Sequence, residues 1–362
     1  MEHSQVGRWL LTPEGPVEGY LRLEGDTVVE TCLGKAPTSS AKAIVLKGFV
    51  NAHTHIGDSV GYPAPKATVE ELVAPPDGHK HKVLRSSSER EKVAGMRMSL
   101  GLMRASGTSL FIDFREEGLE GVRMLKDALS LDDPRALVLG RPSSSSIADS
   151  ELGELLGSCD GIGMSAVRDW PLDFVARVSE KTRARGKIFS LHASETVRES
   201  VDQLLDLKPD FVVHMTKATE DDMAQCAEAG LPVVVCPRAN KFFGLRPDLP
   251  LMLRSGLTVA LGTDNCMITR PDILEEIKAA YRVSKPLGGI SPLEAVSLAV
   301  FGGRKLLKGE GNISAEINID DDLVAVRVRG EDPLRELVTS ARSGDIMGVF
   351  KGGKVRRTGP IE

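Results

Sequence analysis

A chain of 362 residues, 41% of them hydrophobic, is long enough to fold as one large barrel with a small accessory domain and a full core. A net charge of −5, a pI of about 5.9 and the absence of any sustained basic run exclude nucleic acid and anionic membrane as expected partners. No run of eighteen apolar residues occurs, and MEHSQVGRWLL lacks the basic and apolar regions of a signal peptide. The expected class is therefore a cytoplasmic small-molecule enzyme, with a homo-oligomer left open.

Residues 1–47 (RWLLTPEG, GYLRLEGDTVVETC, KAIVL) read as Gly-punctuated strands and hairpins without a convincing helix. Eight short apolar runs rich in β-branched residues then follow, at 47–55, 108–116, 135–142, 161–167, 187–195, 210–216, 231–240 and 257–265. Most of the segments between them have helical spacing, as in Val93, Met96 and Leu100, or Met223, Cys226 and Ala227. Parallel strands need a crossover of a dozen or more residues each, so eightfold alternation predicts a (β/α)₈ TIM-like barrel. A doubly wound open sheet is the alternative. It fits less well, because residues capable of chemistry sit at the ends of at least four strands and only a barrel brings those ends to one mouth.

The stretch 56–92 is Pro-rich and polar and reads as a long loop, of the kind used as a lid or binding loop. PSSSSIADS at 142–150 reads as a plain loop. Residues 315–362 return to strand and hairpin patterns. Together with 1–47 they are expected to form a small β-sandwich domain beside a barrel domain spanning 48–314. The five cysteines, Cys32, Cys159, Cys226, Cys236 and Cys266, are odd in number and lack a C-x-x-C pair, so they read as reduced thiols.

Two His-x-His pairs compete for a metal. His53 and His55 end an apolar strand, where period-two alternation aims both imidazoles to one side. His79 and His81 follow Pro-Pro and Asp-Gly turn signals among lysines and read as a solvated loop, with a substrate-touching lid as the alternative. Two of the remaining histidines, His192 (FSLHASE) and His214 (FVVHMT), also lie at strand ends. Either alone is ordinarily a hydrogen-bonded core residue. At the C-terminal ends of the first, fifth and sixth strands together, these histidines are hard to explain by packing. Asp264 in LGTDNC ends the eighth strand, and its competing role is an Asx turn or cap.

GFVNAHTH, HASE, VVHM and GTDN in this order, with VVVCPRAN and SPLEAVSLAVFGGRKLL, resemble the amidohydrolase superfamily, specifically its cytosine deaminase and triazine hydrolase branch. The resemblance spans nearly the whole chain. It implies that His53, His55, His192 and Asp264 bind one divalent metal, Zn²⁺ or alternatively Fe²⁺, and that Glu195, His214 and Asp264 are catalytic. Binuclear relatives use a fourth-strand lysine, and none occurs between 161 and 180, so the resemblance points to the mononuclear deaminase type. That type places a glutamate three residues after the fifth-strand histidine, the spacing of His192 and Glu195. The role requires the chain to bend after residue 192 or 193, and Thr196 with Glu199 reads as a capping box for the helix that follows.

The implied reaction is hydrolytic deamination of an amino-substituted heterocycle such as a nucleobase, nucleoside or pterin. The alternative is loss of an alkylamine, chloride or cyclic amide. Arg115, Arg141, Arg168 and Arg238 fall at or just past strand ends, where a guanidinium can grip an anionic substituent. For any one of them an inter-loop ion pair is the competing reading.

Overall fold

The computed structural model describes residues 3–74, 77–307 and 317–356. Pro75 and Pro76 of the expected loop, the 314/315 domain boundary and residues 357–362 of the last hairpin lie outside them.

The N-terminal segment forms β1 (His3–Val6), β2 (Trp9–Thr12), β3 (Gly15–Glu24), β4 (Thr27–Leu33) and β5 (Ala43–Lys47). The central region forms β6 (Phe49–His55), β7 (Thr108–Arg115), β8 (Arg135–Gly140), β9 (Gly161–Met164), β10 (Ile188–Ala193), β11 (Phe211–His214), β12 (Val233–Val235), β13 (Val259–Leu261) and β14 (Asp264–Asn265). The chain returns in β15 (Leu323–Arg327), β16 (Ile346–Lys351) and β17 (Lys354–Arg356).

Strands β6 to β13 are the eight predicted runs, and they pair in chain order, all parallel. Only Gly262 and Thr263 separate β13 from β14, which pairs with β6 at Asp264↔Thr54 and Asn265↔His55. The sheet thus begins and ends on one segment and comes round on itself. Gly262 is required at the joint: a Cβ there would lie 2.7 Å from the His53 Cβ and 2.8 Å from its backbone nitrogen and oxygen. The Asn51 amide ties the joint down, donating to Thr263 Oγ1 (2.8 Å) and accepting from the Thr263 N–H (2.9 Å).

Parallel strands covered on both faces read as near-continuous apolar runs, which is why these eight were legible. Val50, Leu110, Ile112, Phe114, Val213 and Val234 pack into one cluster. Alternating neighbours such as Phe111, Val138, Val212 and Val233 join a larger cluster with the surrounding helices. Each such buried side chain contributes about 1.5–3 kcal/mol.

The terminal segments were expected as a sandwich and instead share one closed sheet. Its order is β1-β3-β2-β5-β15-β16-β17-β4, and β4 pairs again with β3. Closure comes from the last hairpin, where Lys354 pairs with Thr27 and leaves no gap between β17 and β4. Val6, Leu21, Val45, Leu323 and Phe350 fill its interior.

The stretch 56–92 is also more ordered than a loop. It holds a 3₁₀ turn (Ile56–Gly61), α1 (Val69–Leu72), α2 (His79–Ser86) and the start of α3 (Glu89–Ala105). Capping boxes from Thr68 and Glu71, and from Ser88 and Glu91, start α1 and α3. His79 and His81 therefore sit on a helix, whose buried face is Lys80 and Leu84, four residues apart.

After β10 the Thr196–Glu199 box does not form, because Glu199 has other donors at hand. Its carboxylate accepts from the backbone N–H of Ser194 (2.8 Å) and of Arg168 (3.2 Å), and the next helix starts at Val201 with Ser200 as its cap. Arg198 closes the turn from outside, with Nε and Nη2 each 2.7 Å from the Asp222 carboxylate. Asp222 also completes the Thr219 capping box of the helix Glu220–Glu228, and its side chain is 1% exposed.

The Arg198 bond, with help from Thr219 and against the cost of burial, lowers the Asp222 carboxyl to about 2. A folded-state value below the unfolded one stabilises the protein above the unfolded carboxylate range, and the contribution disappears as pH falls through about 2. Asp222→Asn is expected to lower stability in urea by about 1–2 kcal/mol at neutral pH, with the gap closing as pH drops from about 4 toward 2. A variant equal to the parent at pH 7 contradicts this.

Candidate active site

His53 and His55 leave β6 together, their ring centroids 4.8 Å apart. A register shift against β7 between Asn51 and Thr54 distorts the strand just before they emerge. Phe114 of β7 lies edge-on beneath His53 at 4.4 Å. His192 arrives from β10 with its ring 4.9 Å from that of His53, and Asp264 Oδ1 sits 3.3 Å from His53 Nε2 and 3.7 Å from His55 Nε2. One donor atom from each of His53, His55, His192 and Asp264 falls within 4.8 Å of all the others.

The hydrogen bonds behind the rings settle which nitrogens face one another. His192 Nδ1 lies 2.8 Å from the carbonyl oxygen of Met164, so this nitrogen carries the proton and Nε2 presents a lone pair. His55 Nδ1 is 2.9 Å from Glu116 Oε1, which leaves its Nε2 facing His192 Nε2 at 3.4 Å. Both nitrogens of His53 are buried without a hydrogen bond among the described residues. Burial pushes all three imidazoles below the ordinary histidine range, His55 to about 3, so they are neutral donors. Three neutral imidazoles and a carboxylate, with lone pairs converging and one ring unpartnered, suit a divalent cation such as Zn²⁺.

His214 and Glu195 border this cluster. Asn240 Nδ2 donates to His214 Nδ1 (3.1 Å), so in this arrangement the ring proton is on Nε2, which lies 3.6 Å from Glu195 Oε1. Burial raises the Glu195 carboxyl above its usual value, opposed by His214 and reinforced by Asp264. Ser194, with φ of 47°, supplies the bend the Glu195 role requires, and Thr216 holds the Glu195 carbonyl oxygen. His214 (φ 85°), Met215 (φ 53°) and Asp264 (φ 60°) share this left-handed backbone. Strain of about 1–3 kcal/mol per residue is thus concentrated around the site. Cys236 stands near His214 and Asp264, but burial raises its thiol far above the range where it would ligate as thiolate.

A cavity of about 290 Å³ opens over this cluster, lined by His55, His192, Glu195, His214 and Asp264 below and by Val69, Glu70, Val73 and Ala74 of the α1 segment above. A larger cleft, about 510 Å³, lies at the other end of the β7 strand among Thr108, Asp133 and Lys351, away from these histidines. The four arginines separate. Arg141 and Arg168 line the cavity. Arg115 is corrected: its guanidinium is fully buried between Asp113 (3.3 Å) and Glu116 (2.8 Å) and cannot reach the cavity. Arg238 is likewise corrected, because it turns to the Arg270 and Asp272 carbonyls and to Glu276.

Several site residues escaped the sequence reading. Lys80, between His79 and His81, lines the cavity and bridges Asp58 (3.0 Å) and Glu116 (2.5 Å). Asn51 and Asn240 were visible only within GFVNAHTH and VVVCPRAN, two of the runs that carry the resemblance, with no role attached to either. The available signal was charge inside an apolar run: LFIDFRE places Asp113, Arg115 and Glu116 where packing alone would favour apolar residues.

The model of the Amidohydrolase family matches residues 44–356. An uncharacterised protein of Methanocaldococcus jannaschii is 36% identical over 289 residues, covering 74% of each chain. A putative aminohydrolase of Archaeoglobus fulgidus is 34% identical over 297 residues, 82% of this chain and 84% of its own. Among solved structures, an adenosine deaminase of Xanthomonas campestris with bound zinc shares the fold, with a TM-score of 0.77 at 20% identity over 97% of this chain and 92% of that one. The sheet that returns on itself, the clustered histidines and a match over most of the sequence have one explanation: this chain belongs to the Amidohydrolase family.

Proposed function

We propose that the protein is a mononuclear, metal-dependent hydrolase that removes ammonia from an amino-substituted heterocycle. The observation that carries this reading is the pairing of Glu195 and His214 beside the convergent His53, His55, His192 and Asp264 donors. A mononuclear site is supported by β9, which offers the Met164 carbonyl behind His192 and no lysine in the stretch after it. The putative aminohydrolase relative is consistent with the same reaction class.

When bound, a divalent cation lowers the pKa of coordinated water from 15.7 to about 7 and so makes a nucleophile available at neutral pH. The chain's own residues supply the proton transfers. Asp264 directs Oδ1 at His53 and His55, which leaves Oδ2 to take a proton from the attacking water. His214, its tautomer set by Asn240, offers Nε2–H to the developing negative charge. Glu195 is protonated more readily than an ordinary carboxyl, so it can protonate a ring nitrogen and make the adjacent amidine carbon electrophilic. Left as a carboxylate, Glu195 then takes the remaining proton of the added hydroxyl as the C=O forms and passes it to the departing amine, and the proton held by Asp264 restores Glu195 for the next turnover. The cover formed by α1 limits water at the site to what the cavity admits.

Metal analysis of the purified protein is expected to find about one divalent ion per chain, Zn²⁺ ahead of Fe²⁺. His192→Ala should lose the metal, while Glu195→Gln should keep it with turnover reduced by about 10²–10⁴. Two metals per chain, or a Glu195→Gln enzyme turning over near the parent rate, would overturn the reading.

Arg141 and Arg168 line the cavity, and Arg141 is buried enough for a charge-assisted bond to matter. An anionic substituent on the substrate follows. Carboxylated or phosphorylated aminoheterocycles should therefore outcompete plain nucleobases, and Arg141→Met should raise KM for the anionic ones selectively. Equal use of charged and uncharged compounds counts against it.

A further inference from the structure

The three histidines of the cluster are backed differently. Among the described residues His53 has no hydrogen-bond partner on either nitrogen, and His192 gives its Nδ1 proton to a neutral carbonyl. Among the described residues His55 is the one of the three backed by a carboxylate on the nitrogen turned away from the cluster, with Nδ1 2.9 Å from Glu116 Oε1. That carboxylate is itself held on both oxygens: Lys80 (2.5 Å) and Arg141 (3.3 Å) approach Oε1, and Arg115 (2.8 Å) bonds Oε2. The Arg115 guanidinium has no room to shift, because Gly57 packs so closely that even a Cβ there would lie 2.1 Å from Nη1. Asp58, fully buried nearby, pairs with Lys80 and comes within 4.8 Å of His55, but among the described residues it makes no hydrogen bond to that ring.

We propose that Glu116 is a positioning residue: it fixes the His55 ring so that Nε2 faces the cluster, and Lys80, Arg115 and Arg141 hold it in place for that purpose. The proposal rests on the metal reading above. An imidazole whose far nitrogen bonds an anion is both oriented and made a stronger donor, and losing such a partner typically costs about 10–100-fold in metal affinity. Glu116 and Asp58 both pair with Lys80 in the same buried cluster, and Glu116 is the one hydrogen-bonded to His55, so disturbing the cluster can be separated from losing the bond to His55.

The test is zinc affinity of the folded protein, measured by competition with a chromophoric chelator on the parent, Glu116→Gln and Asp58→Asn. The expected result is a loss of about 10–100-fold for Glu116→Gln and less than about threefold for Asp58→Asn. Glu116→Gln within about threefold of the parent, or Asp58→Asn losing as much as Glu116→Gln, overturns the proposal. A parent that binds no zinc instead overturns the metal reading and this inference with it. Should Glu116→Gln fail to fold, nitrogen-15 histidine spectra of the zinc-loaded parent decide: His55 must be protonated on Nδ1 with a downfield, hydrogen-bonded proton, and a His55 protonated on Nε2 overturns the proposal.

Discussion

Donor atoms of three neutral imidazoles and one carboxylate held within 4.8 Å of one another repel until a cation sits among them, and much of the barrel mouth is built to hold them there. Gly262 allows β14 to lie against His53, and the Asn51–Thr263 pair fastens that joint. Ser194, His214 and Asp264 accept left-handed backbone where the strands give way to chemistry. Such an arrangement persists only because the surrounding strands are buried on both faces and over-determine it.

Behind the donors lies a second layer of buried charge. Asp58, Asp113 and Glu116 meet Lys80, Arg115 and Arg141, three carboxyls against three basic side chains. Burial raises the Asp58 and Asp113 carboxyls, whereas Lys80, His55 and Arg141 overcome burial at Glu116 and hold it well below the carboxylate range. Glu116 is therefore the member of this layer that stays firmly ionised. It is also the member that touches a histidine of the cluster, so the layer's electrostatics converge on His55.

The barrel strands were legible because parallel, doubly covered strands spell themselves as apolar runs, and His53, His55, His192, His214 and Asp264 were legible as polar interruptions at the ends of such runs. What was not legible depends on contacts between segments distant in sequence. Whether a strand-end arginine faces the mouth or the wall follows from its neighbours: Arg141 and Arg115 looked alike and both pair with Glu116, yet Arg141 lines the cavity and Arg115 does not. HKHK after a proline-rich turn looked solvated, yet α2 turns Lys80 inward because Asp58 and Glu116 wait there. The terminal strands were recognised as strands, but one pairing, Lys354 with Thr27, makes a closed sheet of what read as a sandwich.

The central claim is that these residues direct water to carbon and ammonia away from it. Incubating metal-loaded protein with a panel of aminopurines, aminopyrimidines and pterins in ¹⁸O-labelled water tests it most directly. The account predicts at least one substrate that releases ammonia in equal amount to product, with a single ¹⁸O at the carbon that carried the amine. Metal-loaded protein that consumes a panel member without releasing ammonia, or leaves the whole panel untouched, would contradict it.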